Sequence, residues 1–225
     1  MNEREMYVLD NKYVFLGLVW PSAAACKEEL LGDLKQFAIC SEARHYRVDR
    51  QVFSWVMQVA YLHDWIPEKV RQKKQEIICE RFSEDVMSLW MVTLELCKNE
   101  IFFDEKDQRI HSLTVSTLKR KLREQYKDQI EKYVHDILFH VSDNYNQTVS
   151  LQYIDVVLSF LKRHREQVRV DGVNQCCLEL NFTGDISILE RELFLGDSRE
   201  HVIKYETGRA ALFLRDTCIL RICFI

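Results

Sequence analysis

The side chains able to do chemistry in this chain are spread out, and their spacing limits what they can do together. His135 and His140 stand five residues apart. On a helix that spacing turns them about 140° from each other, the wrong geometry for sharing a metal ion. They read as surface or half-buried histidines. Cys176 and Cys177 are adjacent, and Cys218 and Cys223 lie in an apolar run near the C-terminus. Four thiolates would suffice for zinc, but structural zinc sites use close cysteine pairs set in turns. These cysteines read as small packed hydrophobes instead. Cys79 has Lys and Arg neighbours that favour a thiolate, yet the sequence places no base or orienting group beside it, and it too reads as packing. The run LKRKLR at 118–123 is the strongest basic cluster, suited to phosphates or an import receptor. Glu124, Asp128 and Glu131 follow on neighbouring turns, where charge pairing is expected. A solvated helix face is the reading that follows.

No phosphate-cradling glycine loop, dinucleotide fingerprint, zinc-protease helix or nucleophile elbow is present. The six glycines stand singly, at 17, 32, 172, 184, 196 and 208. The chain therefore reads as a non-enzyme, with no cofactor and no metal.

The elements that must position these residues are constrained by composition. The chain has 225 residues, 47% of them hydrophobic and 29% charged, enough to bury a real core. Lys and Arg total 31 against 35 Asp and Glu, a net charge of −4. That excludes a general nucleic-acid binder, which needs a clustered basic excess. Six Gly and two Pro are few, and turns consume both, so long helices with short links are expected over sheets. The N-terminal stretch carries acids where a signal peptide has bases, and no run approaches the roughly 20 apolar residues of a membrane span. Eight cysteines without a C-x-x-C pair suit a reduced, intracellular protein, cytoplasmic or nuclear, with no membrane partner.

Residues 1–20 fit either a short hairpin or a helix. Pro21 and Ser22 open an amphipathic helix through Ala38, with apolar residues at Cys26, Leu30, Leu34 and Phe37. Asp49 caps a second helix, apolar on nearly all sides, which must be deeply packed. Its aromatics Phe53, Tyr61 and Trp65 suit either core or an interface centre. Helical segments are expected after Pro67, across Val86–Phe103, Ile110–Tyr126 and 128–142. Asp143–Gln147 is expected as a loop, followed by another helix. Only RVDGVNQCCLELNFTGD reads as extended, and helix is expected again from Ser187 to Leu214. No spacer rich in Pro or Ser divides the chain, so one continuous all-α body is predicted.

Four segments in order resemble the N-terminal helical repeats of the cullin family. SWVMQVAYLHDWI at 54–66 is similar to a cullin helix with an apolar run and a Tyr-Leu signature. LWMVTLELCKNEI at 89–101 is similar to the segment that follows, with Cys97 where the family often has Trp. Ile130–Leu161 resembles a cullin helix pair, and ELFLGDS at 192–198, with Tyr205 and Phe213-Leu214 beyond, resembles the family's final run. The resemblance implies an elongated helical bundle over residues 46–225, with 1–45 an N-terminal segment that it does not assign. It implies a non-catalytic scaffold or adaptor-binding module of the ubiquitin-ligase pathway, the alternative being an unrelated all-helical protein–protein interaction module. The implied partner is a BTB, Skp1-like or elongin-like adaptor. The implied adaptor face is Phe53, Met57, Tyr61, Leu62 and Trp65.

Overall fold

A computed structural model describes residues 8–9, 12–40, 43–64, 66–81, 85–106, 108–130, 133, 137–193, 201–206, 208–214 and 216–225. Its chain runs β1 (Val8–Leu9), β2 (Lys12–Val19), a 3-10 turn, α1 (Lys27–Phe37), β3 (Ile39–Cys40), β4 (Arg44–Asp49), α2 (Arg50–Ala60) and α3 (Glu68–Arg81). It continues through β5 (Val86–Leu96), β6 (Ile101–Asp104), β7 (Arg109–Ser112), α4 (Leu113–Tyr126), β8 (Phe139–Val141) and α5 (Tyr145–Arg163). The last third holds β9 (Val168–Asn174), β10 (Cys177–Phe182), α6 (Ile186–Leu193), β11 (His201–Glu206), β12 (Arg209–Leu214) and β13 (Thr217–Phe224). The all-α helical bundle expected from composition is thus corrected to a mixed α/β fold.

One six-stranded sheet is built around β2 and β5, which pair antiparallel from Tyr13–Leu96 to Val19–Trp90. β1 and β8 flank β2, while β3 and β4 pair along the other edge of β5. A second sheet has the order β11-β12-β13-β10-β9, antiparallel except for the parallel β10–β13 pair. β6 and β7 form a separate hairpin. α2 lies between the two larger sheets, touching α5, β9, β10 and β5. Its indole Trp55 Nε1 donates to the Ile219 carbonyl of β13 at 2.7 Å. That position explains a helix with apolar residues all round, since Val52, Phe53, Trp55, Val56, Met57, Val59 and Ala60 are all buried.

The segments misread as helix have physical explanations. β5 is the central strand, and its middle residues Leu89, Trp90, Met91 and Val92 are buried on both faces, which interrupts the alternation that marks a half-exposed strand. The second cullin-like segment, at 89–101, therefore lies mostly on a strand. The scarcity of glycine misleads because other residues make the turns. Gln108 (φ 58°) and Gln175 (φ 53°) take left-handed backbone in the β6–β7 and β9–β10 hairpins, and among the described residues the one glycine with such backbone is Gly208 (φ 73°), in the β11–β12 turn. The helix expected from Ser187 to Leu214 ends at Leu193, and β11 and β12 follow. The boundary expected between residues 45 and 46 falls inside β4, whose sheet also contains β2. Among the described residues, no helix is long and apolar enough to cross a membrane.

Candidate functional site

A connected set of buried polar side chains surrounds the junction of β8 and α5. Its geometry starts with two N-caps. Ser112, ending β7, accepts the Val115 amide through its hydroxyl at 3.0 Å and starts α4. Asn144 accepts the Gln147 amide at 3.0 Å and starts α5. Capping needs the same short polar residues that loops use. For that reason Asp143–Gln147 looks like a loop in sequence, yet Tyr145 to Gln147 are the first turn of the longest helix. Ser142 exchanges hydrogen bonds with the Leu16 backbone (2.9, 3.0 and 3.2 Å), which fixes the strand end beside β2.

Asp143 is the centre of the set. Its carboxylate accepts from His111 Nδ1 at 3.0 Å, from Ser116 Oγ at 3.1 Å and from Lys119 Nζ. Burial opposes ionisation, but the His111 hydrogen bond and the Lys119 ammonium outweigh it and hold the carboxyl far below the usual carboxylate range. An ionised carboxylate only accepts, so the His111 proton sits on Nδ1. The Asp143 amide donates to Gln147 Oε1 at 3.1 Å, while the Gln147 amide group donates to Asp64 Oδ1. Gln147 thereby ties the Asp64 carboxyl to the backbone of Asp143, whose own carboxylate has a separate set of partners. Asp64 is pushed up to about 6, chiefly by burial, with Lys119 opposing and Asp143 adding to the rise.

Beside them lies His140, on β8 and 2% exposed. Its Nε2 is buried and finds no hydrogen-bond partner among the described residues. Burial first, then Lys119, Lys74 and Arg123, hold its pKa well below the ordinary histidine value, so the ring is neutral. It meets Tyr61 edge-on at 4.7 Å, and Tyr61 in turn stacks on Trp20. Lys74, only 4% exposed, lies 4.6 Å from the centre of the Tyr61 ring and donates to its hydroxyl at 3.2 Å. Arg123 reaches the Phe139 carbonyl at 3.3 Å.

The expected residues are redistributed by this arrangement. Phe53, Met57 and Tyr61 are core side chains, and Leu62 packs against the core. Trp65 and His135 lie outside the described residues. The proposed adaptor face therefore has no exposed aromatic among the residues that are described; of the five, Tyr61 belongs to the polar site. The basic run at 118–123 is not one solvated face: Lys119 and Arg123 turn inward while Arg120 and Lys121 are exposed. Glu124 pairs with Lys127. Cys79 is half-buried and its thiol is raised by burial, as a packed cysteine would be.

The site residues missed in sequence are Asp64, Lys74, His111, Lys119, Asp143 and Gln147. One signal for them exists: an apolar run, Ile137–Phe139, followed at once by His140, Ser142, Asp143 and Asn144. Such a switch marks a buried strand delivering polar groups to a helix N-terminus. Chemically, the site offers a carboxyl that exchanges its proton near neutrality, a fixed carboxylate, a neutral imidazole and three cations. Among the described residues no three His, Cys, Asp or Glu side chains form a group suited to a metal ion. Comparison of the chain with family models, with characterised proteins and with solved structures finds no match.

Proposed function

We propose that the β8–α5 junction is the active site of an enzyme that acts by acid–base catalysis on a small substrate bearing a phosphate or similar anion. The observation that carries this reading is the placement of Asp64 and Asp143 on either side of Gln147, which donates to the Asp64 carboxyl and accepts the Asp143 backbone amide, with the proton affinities of the two carboxyls pushed in opposite directions. Such divergence is the mark of an acid–base pair with divided roles. Asp64 exchanges the proton; Asp143 stays ionised and orients Lys119 and His111. Lys74, Lys119 and Arg123 supply positive charge around His140, and the N-terminus of α5 adds its partial positive charge. Together they favour an anionic substrate.

The test is a thermal-shift and calorimetric titration with pyrophosphate, nucleoside diphosphates and sugar phosphates, comparing the native protein with Lys119→Met. A saturable rise in melting temperature with one of these, weakened at least about tenfold by the variant, is the expected result. No binding by any of them, or equal binding by a folded K119M protein, refutes the proposal.

Protein–protein interaction, the second reading, is favoured by a separate observation. Phe37, Phe102, Phe103 and Leu113 are all exposed, and β6 lies directly beside the start of α4. Phe37 and Leu113 share a cleft with Leu96, Leu118 and Lys121. Exposed apolar surface of this kind commonly marks contact sites. Here the adaptor-type contact expected on α2 would move to this surface, and Phe103→Asp should then abolish partner binding without changing the melting temperature.

A further inference from the structure

Cys177 and Cys218 come from positions 41 residues apart, yet their sulfur atoms lie 3.5 Å from each other. The contact is made by the second sheet, where β10 and β13 run parallel with Leu178 opposite Leu220. The β12–β13 pair shifts register between Leu212 and Phe213, and Cys218 lies opposite Phe213 at that shift. Cys223 is not part of this group: it pairs with Asn181, four residues further along β10, about 13 Å away at strand spacing. The four-thiolate arrangement considered from sequence is therefore not assembled.

The two thiols are not equivalent. Cys177 is buried, while Cys218 is half-buried. The hydrogen bond shared with Cys177 is the main reason the Cys218 thiol is drawn down to about 7, against burial and with help from Arg221. The same contact and burial push Cys177 up. A half-exposed sulfur with thiolate character beside a buried neutral thiol is the arrangement in which one sulfur attacks an oxidant and the other resolves the product.

We propose that Cys177 and Cys218 form a peroxide-oxidisable dithiol that closes to a disulfide between β10 and β13. In the first step the Cys218 thiolate attacks one peroxide oxygen and the O–O bond breaks. Cys218 becomes a sulfenic acid, and the hydroxide released takes up a proton to leave as water. In the second step the Cys177 sulfur attacks the Cys218 sulfur. The S–S bond forms, the S–O bond breaks, and the hydroxide departs as a second water with the proton from Cys177. Each peroxide is reduced by two electrons, and the two thiols are oxidised by two. A thiol reductant reverses the change. Closing the 41-residue segment should also stabilise the fold by restricting the unfolded chain.

The experiment treats the intact protein with one equivalent of hydrogen peroxide, then unfolds it in denaturant with iodoacetamide to block every remaining thiol, and maps the digest by mass spectrometry without reduction. The expected product has lost two hydrogens per chain, with fragment spectra joining Cys177 to Cys218, and is restored by dithiothreitol. Its melting temperature should rise. Cys218→Ser should leave Cys177 as a thiol that is fully alkylated after unfolding, and Cys177→Ala should leave Cys218 able to stop only at a sulfenic acid, trapped by dimedone and formed more slowly because its activating partner is gone. Full alkylation of both cysteines in the peroxide-treated native protein would overturn the proposal, as would a bridge from Cys218 to Cys176 or to a second chain. Because the native protein alone decides this, a variant that fails to fold does not obscure the answer.

Discussion

Asp64 and Asp143 have the same side chain and meet the same glutamine, one through its carboxyl and the other through its backbone amide, but their stability effects have opposite signs. The folded pKa of Asp64, about 6, lies above its ordinary 3.8. The folded state therefore holds the proton more tightly than the unfolded chain. The favourable contribution is full below about pH 4 and is lost as pH rises through 6. At pH 8 the ionised, half-buried carboxylate costs about 2–3 kcal/mol. Asp64→Asn keeps an acceptor for Gln147 and removes that cost, so its urea midpoint should exceed the native value at pH 8 and match it near pH 4. A lower midpoint at pH 8 would contradict the placement of Asp64. Asp143 behaves in the other sense, because its folded pKa is depressed. Its contribution is present above the ordinary carboxylate range and is lost on acidification below it. Asp143→Asn leaves the Lys119 ammonium, 13% exposed at its side chain, without its counter-charge. Removing one partner of such a pair costs about 3–5 kcal/mol, to be measured by denaturation at pH 7.

At the level of the elements, two local features hold the site in place. Asn144 starts α5 and orders Gln147 in the same bond. Asn144→Ala should cost about 1 kcal/mol and, by freeing Gln147, shift the Asp64 titration seen by NMR. A shift in stability alone would mean that the cap supports the helix and not the carboxylate pair. The second feature is Gly17, where β2 passes between β5 and β8. A Cβ there would lie 2.8 Å from Val92 Cγ2 and 2.9 Å from Phe139 Cε2. Gly17→Ala should therefore destabilise by about 1–3 kcal/mol through overpacking. The penalty should shrink in a Val92→Ala background, which a double-mutant cycle on unfolding free energies would read directly. Gly17 also lies opposite Val141, two residues before Asp143, so the close strand approach sets where the site begins.

Across the whole molecule, α2 is the element that joins the two large sheets, and Trp55 makes the only side-chain hydrogen bond described from it to the second sheet. Trp55→Phe preserves most of the apolar bulk but leaves the buried Ile219 carbonyl without its indole donor. A loss of about 1–3 kcal/mol is expected, together with faster amide exchange in β13. Unchanged exchange there would place the stability of the second sheet elsewhere.

How much of this protein can be read without its fold differs by kind of information. Local chemistry is legible: Asp49 caps α2, Pro21 and Ser22 precede α1, and the all-round apolar pattern of 50–60 marks a buried helix. The strand-like character of 168–182 is legible too, because alternation survives where one face meets solvent. β5 escapes notice because burial of Leu89 to Val92 on both faces interrupts the period that separates strand from helix. The polar site escapes for a different reason. Its members come from positions 61–74, 111–123 and 140–147, and no short motif links residues that meet only when β2, β8, α4 and α5 pack together. Burial then decides their chemistry. A lysine in a basic run becomes the counter-charge of a buried aspartate, and two identical carboxyls acquire opposite proton affinities, because charge energetics depend on the surroundings that folding supplies.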